Sequence, residues 1–138
     1  MKAFFDTSAF AKRYIAERSS ETVIALCEQA DDLVVSVVCL PELISSLCRL
    51  VREKKLPRAD YRKLRGIAAA DLADVDICQI TSHILDTTIS LLETHPLRAT
   101  DALHVACALA VKPDMFVSAD RRQLLAARRS DLKTVDVS

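Results

Sequence analysis

The sequence predicts an α/β domain with a central parallel sheet of four to five strands, flanked by helices on both faces. Three observations point there. The chain has 138 residues, the size of one domain with a sizeable core. Segments of strand and helix character alternate throughout, as they do in α/β proteins. The strand-like runs, Ala3–Phe5, Leu33–Val38 and Met115–Ser118, are short and almost wholly apolar, as strands buried on both faces are.

The elements follow in order. Ala3-Phe4-Phe5 reads as a buried strand, ended by Asp6-Thr7-Ser8 at a helix start. Ala9, Phe10, Tyr14 and Ile15 suggest a short helix, and Val23, Ile24, Leu26 and Cys27 give the next one its stripe. The Val-rich run Leu33–Val38 predicts the second strand. Pro41 suits the first helical residue, with Glu42 in the first turn, and the helix runs to about Lys54. A basic amphipathic helix covers about Arg58 to Ala73. Val75–Ile80 alternates as a strand does, and a helix follows from about Ser82 to Thr94. Thr100 suits the N-cap of a helix over Asp101–Ala110. After Met115–Ser118, Asp120 caps a helix through Ala127, with Gln123 placed as capping-box partner. Lys133–Val137 reads as a last edge strand.

Composition narrows the chemistry. Lys plus Arg and Asp plus Glu are both 19, so the net charge is zero. That argues against a charge-driven nucleic-acid binder but leaves room for a local basic face. The one glycine, Gly66, excludes glycine-rich phosphate loops and the nucleophile elbow. Any phosphate chemistry must therefore use side chains or metals. Five cysteines, with no C-x-x-C pair, read as small buried hydrophobes in a reducing cytoplasm. A charge at Asp6 comes too early for a signal peptide, and no apolar run approaches a membrane span.

Four acids share a position. Asp6 and Asp120 directly follow strands, Glu42 follows one by a few residues, and Asp101 opens a helix. Each could be an ordinary helix cap or first-turn acid. In an open parallel sheet, however, loops beyond the carboxyl ends of the strands converge where ligands bind. Four carboxylates brought together there repel and need a cation. Oxygen donors without neighbouring His or Cys favour Mg²⁺ or Mn²⁺ over zinc.

These residues carry a family resemblance over nearly the whole chain. Phe4-Phe5-Asp6-Thr7-Ser8 resembles the opening of PIN-domain nucleases, and Pro41-Glu42-Leu43 their first-helix acid. Leu97 to Ala106, centred on Thr100-Asp101-Ala102, is similar to their most recognisable segment, and Phe116-Val117-Ser118-Ala119-Asp120 to their last acid. The size resembles the VapC-like toxins of toxin–antitoxin pairs. The resemblance implies one nuclease domain over residues 1–138, acting as a metal-dependent endoribonuclease. Asp6, Glu42, Asp101 and Asp120 would hold one or two Mg²⁺ or Mn²⁺ ions. Thr7, Ser8 and Ser118 would orient them through hydrogen bonds. It also implies a homodimer and a small cognate antitoxin whose C-terminal segment blocks the site. The apolar stripes Leu43–Val51 and Leu64–Leu72 offer that segment a groove, or else belong to the core. The chain departs from the family after the last acid: Arg121-Arg122-Gln123 replaces a further acid or aromatic, which bears on a second metal.

Arg121 and Arg122, next to Asp120, are candidate phosphate contacts. A longer basic band runs from Arg49 to Arg65 and suits either a polyanion or a solvated helix face. His104, three residues after Asp101, shares its helix face and is placed to touch substrate or steady a carboxylate. At 4% aromatics, base stacking is limited, so an RNA would be read by shape and backbone. The alternatives are a non-catalytic RNA- or protein-binding module on the same fold, or a solitary housekeeping nuclease. Two other Asp-based phosphoryl enzymes fit weakly. A haloacid-dehalogenase-like phosphatase needs an Asp where Ser8 stands, and a receiver domain needs an acid pair closing the first strand.

Overall fold

The computed structural model describes all residues, Met1–Ser138. Strand β1 (Lys2–Phe5) leads into α1 (Thr7–Phe10), which a 3-10 turn (Ala11–Arg13) extends. There follow α2 (Ser20–Gln29), β2 (Asp32–Ser36), α3 (Cys39–Arg52), α4 (Arg58–Leu72), β3 (Asp76–Cys78), α5 (Ser82–Thr94) and α6 (Ala99–Val111). The chain closes with β4 (Met115–Ser118), α7 (Arg121–Arg129) and β5 (Thr134–Asp136). All five strands are parallel, in the order β3-β2-β1-β4-β5. The predicted α/β class and parallel sheet are therefore observed.

Side-chain alternation splits the core into two layers. Phe4, Val34 and Phe116 point to one face of the sheet, where Ile84, Leu91, Val105 and Leu124 from α5, α6 and α7 cover them. The rings of Phe4 and Phe116 stack there at 5.9 Å. Phe5, Val35 and Val117 point to the other face, against Phe10, Val23, Cys39 and Leu72. Burial on both faces explains why the strands lack polar alternation. The α3–α4 pair packs on itself through Leu43, Leu47 and Ala68. The Leu43–Val51 stripe is thus largely core, while Ile67 on α4 stays 51% exposed.

The helix starts differ from their predicted places in two instances. Helix α3 begins at Cys39, putting Pro41 in the third helical position rather than the first. The second strand accordingly stops at Ser36, whose hydroxyl accepts the Val38 N–H and turns the chain. Helix α6 is capped at Arg98, not Thr100. The Asp101 carboxylate accepts the Arg98 N–H at 3.3 Å, so the turn closes two residues earlier. No helix is long and apolar enough to cross a membrane.

The sheet order fixes where a site can form. From β1 the chain steps one way to β2 and β3, then returns to add β4 and β5 on the other side. The β1/β4 boundary is thus the topological switch point, and loops at its carboxyl end splay apart to leave a crevice.

Candidate functional site

Residues Phe5 and Val117 are paired in register at the end of β1 and β4. The loops that follow therefore meet, and the Asp6 N–H donates to Val117 O at 3.1 Å. Asp6 is fully buried. As the N-cap of α1 it accepts the Ala9 N–H at 3.0 Å. Two serine hydroxyls also reach it: Ser8 at 2.8 Å and Ser118 at 2.8 Å. Each serine in turn accepts a backbone N–H from the loop after β4, Ala119 on Ser8 at 3.0 Å and Asp120 on Ser118 at 2.9 Å. The serines thus tie Asp6 to the opposite loop. Burial pushes the Asp6 carboxyl above its ordinary value, against the charge of His104 and these donors, which favour the anion. It forms no ion pair with Lys or Arg.

Glu42 enters from the first turn of α3. Its Oε1 accepts the Thr7 hydroxyl at 2.8 Å and lies against Nε2 of buried His104. The Thr7 hydroxyl donates its one proton to the bond with Glu42, so toward His104 Nε2, 3.2 Å away, it can only accept, and a protonated Nε2 satisfies both oxygens. Burial raises the Glu42 carboxyl, but the His104 contact and the Thr7 and Thr100 hydroxyls outweigh it and hold the group below its ordinary value. His104 Nδ1 is buried without a partner.

Asp101, in the first turn of α6, is held on both oxygens. Gln123 Nε2 donates to Oδ1 at 3.1 Å, and Arg98 Nε donates to Oδ2 at 3.2 Å. Asp120 caps α7, accepting the Arg122 and Gln123 N–H groups at 2.8 and 3.2 Å. The Asp120 cap matches the sequence, but Gln123 does not return the capping-box bond. Its side chain crosses to Asp101 instead, and its Oε1 is left buried without a partner.

These groups converge on one cleft of about 560 Å³ lined by Thr7, Ser8, Glu42, Asp101, His104 and Asp120, among others. Asp6 meets it only through Ser8. A neighbouring hollow of about 540 Å³ shares Asp101 and Asp120 and adds Arg121 and Arg122 to Arg98. Of the long basic band, Arg49 alone lines the cleft. Sequence reasoning missed three contributors: Gln123, Arg98 and the buried Lys12, whose Nζ bonds Arg18 O at 2.6 Å. Gln123 and Arg98 had a local signal, each three residues from an acid at a helix start.

The donor set suits a hard divalent cation, since every candidate ligand is a carboxylate. Asp6 is a buried carboxyl with no Lys or Arg beside it, a place where a cation would favour its ionised form. The cage is not closed: no three His, Cys, Asp or Glu side chains are set closely enough to hold one ion.

Comparison with known proteins agrees with the fold. The PIN domain family matches residues 3–129. Ribonuclease VapC45 of Mycobacterium tuberculosis is 30% identical over 121 residues, covering 86% of this chain and 84% of that protein. Among solved structures, the sarcin–ricin loop cleaving toxin VapC20 of the same species superposes with a TM-score of 0.71 at 20% identity, over 90% of this chain and 94% of that one. A toxin–antitoxin complex from Klebsiella pneumoniae gives 0.66 at 16% identity, over 88% and 89%.

Proposed function

Because the chain belongs to the PIN domain family, we propose that its acidic cleft is the active site of a metal-dependent endoribonuclease, the toxin of a toxin–antitoxin pair. One observation carries this reading. Glu42, Asp101 and Asp120 come from three separate segments and line one cleft at the switch point, with Asp6 tied to its wall by Ser8. The ribonuclease name of a relative at 30% identity supports it. Asp6, Glu42, Asp101 and Asp120 would hold one or two Mg²⁺ or Mn²⁺ ions. Such an ion, when bound, supplies water activation for in-line attack on a phosphodiester and neutralises charge on the leaving oxygen.

The chain's own residues prepare that chemistry. Ser8 and Ser118 hold Asp6 with hydroxyls polarised by backbone N–H groups. Thr7 and His104 keep Glu42 ionised and turned to the cleft. Gln123 fixes the plane of Asp101. Arg121 and Arg122 border the neighbouring hollow, where they would meet the phosphates of the RNA. A small antitoxin and a second copy of the chain are the partners in this reading. The former is supported by the solved Klebsiella complex. Five unpaired thiols suit a cytoplasmic setting.

The unclosed cage favours a second reading, a binding module in which the acids serve only as caps. One assay separates the two. Purified protein is incubated with a mixed cellular RNA pool and Mg²⁺, Mn²⁺ or chelator, beside folded Asp6→Asn and Asp101→Asn variants. The nuclease reading expects metal-dependent cutting that both variants lose. No cutting under any metal, together with no heat of metal binding, leaves the binding module.

A further inference from the structure

The two oxygens of Asp101 are held by donors of opposite character. On Oδ1 sits Gln123, neutral and only 3% exposed. On Oδ2 sits Arg98, a full cation whose side chain is 79% exposed, against 7% for Asp101. Gln123 is enclosed by its surroundings. Arg98 is fixed at its backbone by the cap it forms on α6, while its side chain reaches Asp101 from solvent through one Nε bond. An arginine side chain has no acceptor, so it returns nothing to the helix as a capping residue. The capping is done by its backbone: the Arg98 N–H donates to Oδ2 and its carbonyl accepts the Ala102 N–H.

Position strengthens the contrast. Arg98 lines both the cleft and the neighbouring hollow, and in the hollow it joins Arg121 and Arg122 around Asp101 and Asp120. The guanidinium therefore has two anionic destinations: the carboxylate it now holds, and any phosphate entering the hollow. A divalent ion on Oδ2 would remove the first. It would repel the guanidinium and take the lone pairs the guanidinium uses.

We propose that Arg98 is an exchangeable internal counter-ion, which holds Asp101 Oδ2 while the metal is absent and becomes a phosphate-positioning residue when the metal displaces it. This rests on the nuclease reading above. A single Nε bond from a guanidinium that is itself mostly in solvent is held weakly, which is what exchange requires: enough to neutralise the carboxylate, and little enough to yield to a divalent ion.

The test uses metal and RNA binding, not cleavage, on the parent, Arg98→Ala and Arg98→Lys chains. Calorimetry with Mn²⁺ alone should show Arg98→Ala binding about two- to fivefold more tightly than the parent, the range for an ion pair whose arginine is solvated, with Arg98→Lys between. Anisotropy with a fluorescein-labelled uridine 20-mer, titrated with salt, reads the second half. In Mn²⁺ the parent should show a log–log salt slope steeper than Arg98→Ala by about 0.7, one phosphate contact on a single strand. In chelator the two slopes should coincide, because Arg98 is then occupied by Asp101. Weaker or unchanged Mn²⁺ binding by Arg98→Ala, with unaltered thermal unfolding, overturns the counter-ion role. Weaker Mn²⁺ binding with a lowered unfolding temperature overturns it too, leaving Arg98 a structural cap for Asp101. Equal slope loss in Mn²⁺ and chelator overturns the exchange, since Arg98 would be free throughout. If the parent binds no Mn²⁺, the nuclease reading itself fails and takes this proposal with it. Binding by the parent with no difference in Arg98→Ala fails this proposal alone.

Discussion

Replacing Asp6 by asparagine should favour the metal-free protein increasingly as pH rises from 4 to 7, although Asp6 lies at the centre of the proposed site. Asp6 is wholly buried and unpaired, and burial raises its carboxyl above the unfolded value. For an acid with a raised folded pKa, the folded state holds the proton more tightly than the unfolded chain. Stability is therefore greatest below about pH 4, where both states are protonated, and falls as pH rises toward the raised value. Each unit of elevation costs about 1.4 kcal/mol at neutral pH. Unfolding a chain of 138 residues has an entropy of about 290 cal/mol/K, so each unit corresponds to about 5 °C in unfolding temperature. Asparagine removes this deficit. Its amide brings two N–H donors where the carboxylate only accepted, so the Ser8 and Ser118 hydroxyls must both turn to accept them, at a cost of about 1 kcal/mol each that does not vary with pH. The assay is thermal unfolding of both chains in chelator from pH 4 to pH 7. The stability of Asp6→Asn relative to the parent should rise across that range. Mn²⁺ at a hundredfold excess over its Kd should then add about 2.7 kcal/mol to the parent, and little to the variant. The reasoning is refuted if the parent gains on the variant as pH rises, because the hydrogen bonds would then hold Asp6 below its ordinary value.

Three further outcomes are expected. Gly66 lies inside α4, and a Cβ there meets nothing within 4 Å, so Gly66→Ala should raise stability by about 1 kcal/mol, read by urea unfolding, with RNA cutting unchanged. Burial pushes the Cys39 and Cys107 thiols up to about 12, so both should resist iodoacetamide at pH 8 until denaturant exposes them, as peptide mass spectrometry would show. Arg121→Ala and Arg122→Ala should each weaken single-stranded RNA binding whatever its sequence and reduce the salt slope by about 0.7, measured by anisotropy. An unchanged slope would place these exposed arginines outside the RNA path.

Much of this protein was legible along the chain because it is set by near neighbours. Apolar runs marked β1, β2 and β4, since a strand covered on both faces has no polar side to show. The caps at Asp6 and Asp120 were legible because a side chain bonding an N–H two or three residues on is a local event. The same rule misled at α6. Thr100 has the right side chain for a cap, but the Asp101 carboxylate takes the Arg98 N–H, and the helix begins at Ala99. It misled again at Gln123, whose spacing from Asp120 suited a capping box while its side chain went to Asp101.

The element types, the parallel sheet and the four acids at helix starts follow from the order of residues along the chain, because backbone propensity, burial pattern and capping act within a few residues. Tertiary structure alone decided the strand order that makes β1 and β4 neighbours and so opens the crevice at their ends. It also decided the partners inside that crevice: His104 on Glu42 across 62 positions, Ser118 on Asp6 across 112, Gln123 on Asp101 across 22. Those bonds join groups that become adjacent only after the layers pack. Their energies depend on a burial that no segment possesses alone, which is why the burial of Asp6 and the divided hold on Asp101 could be read only from the folded chain.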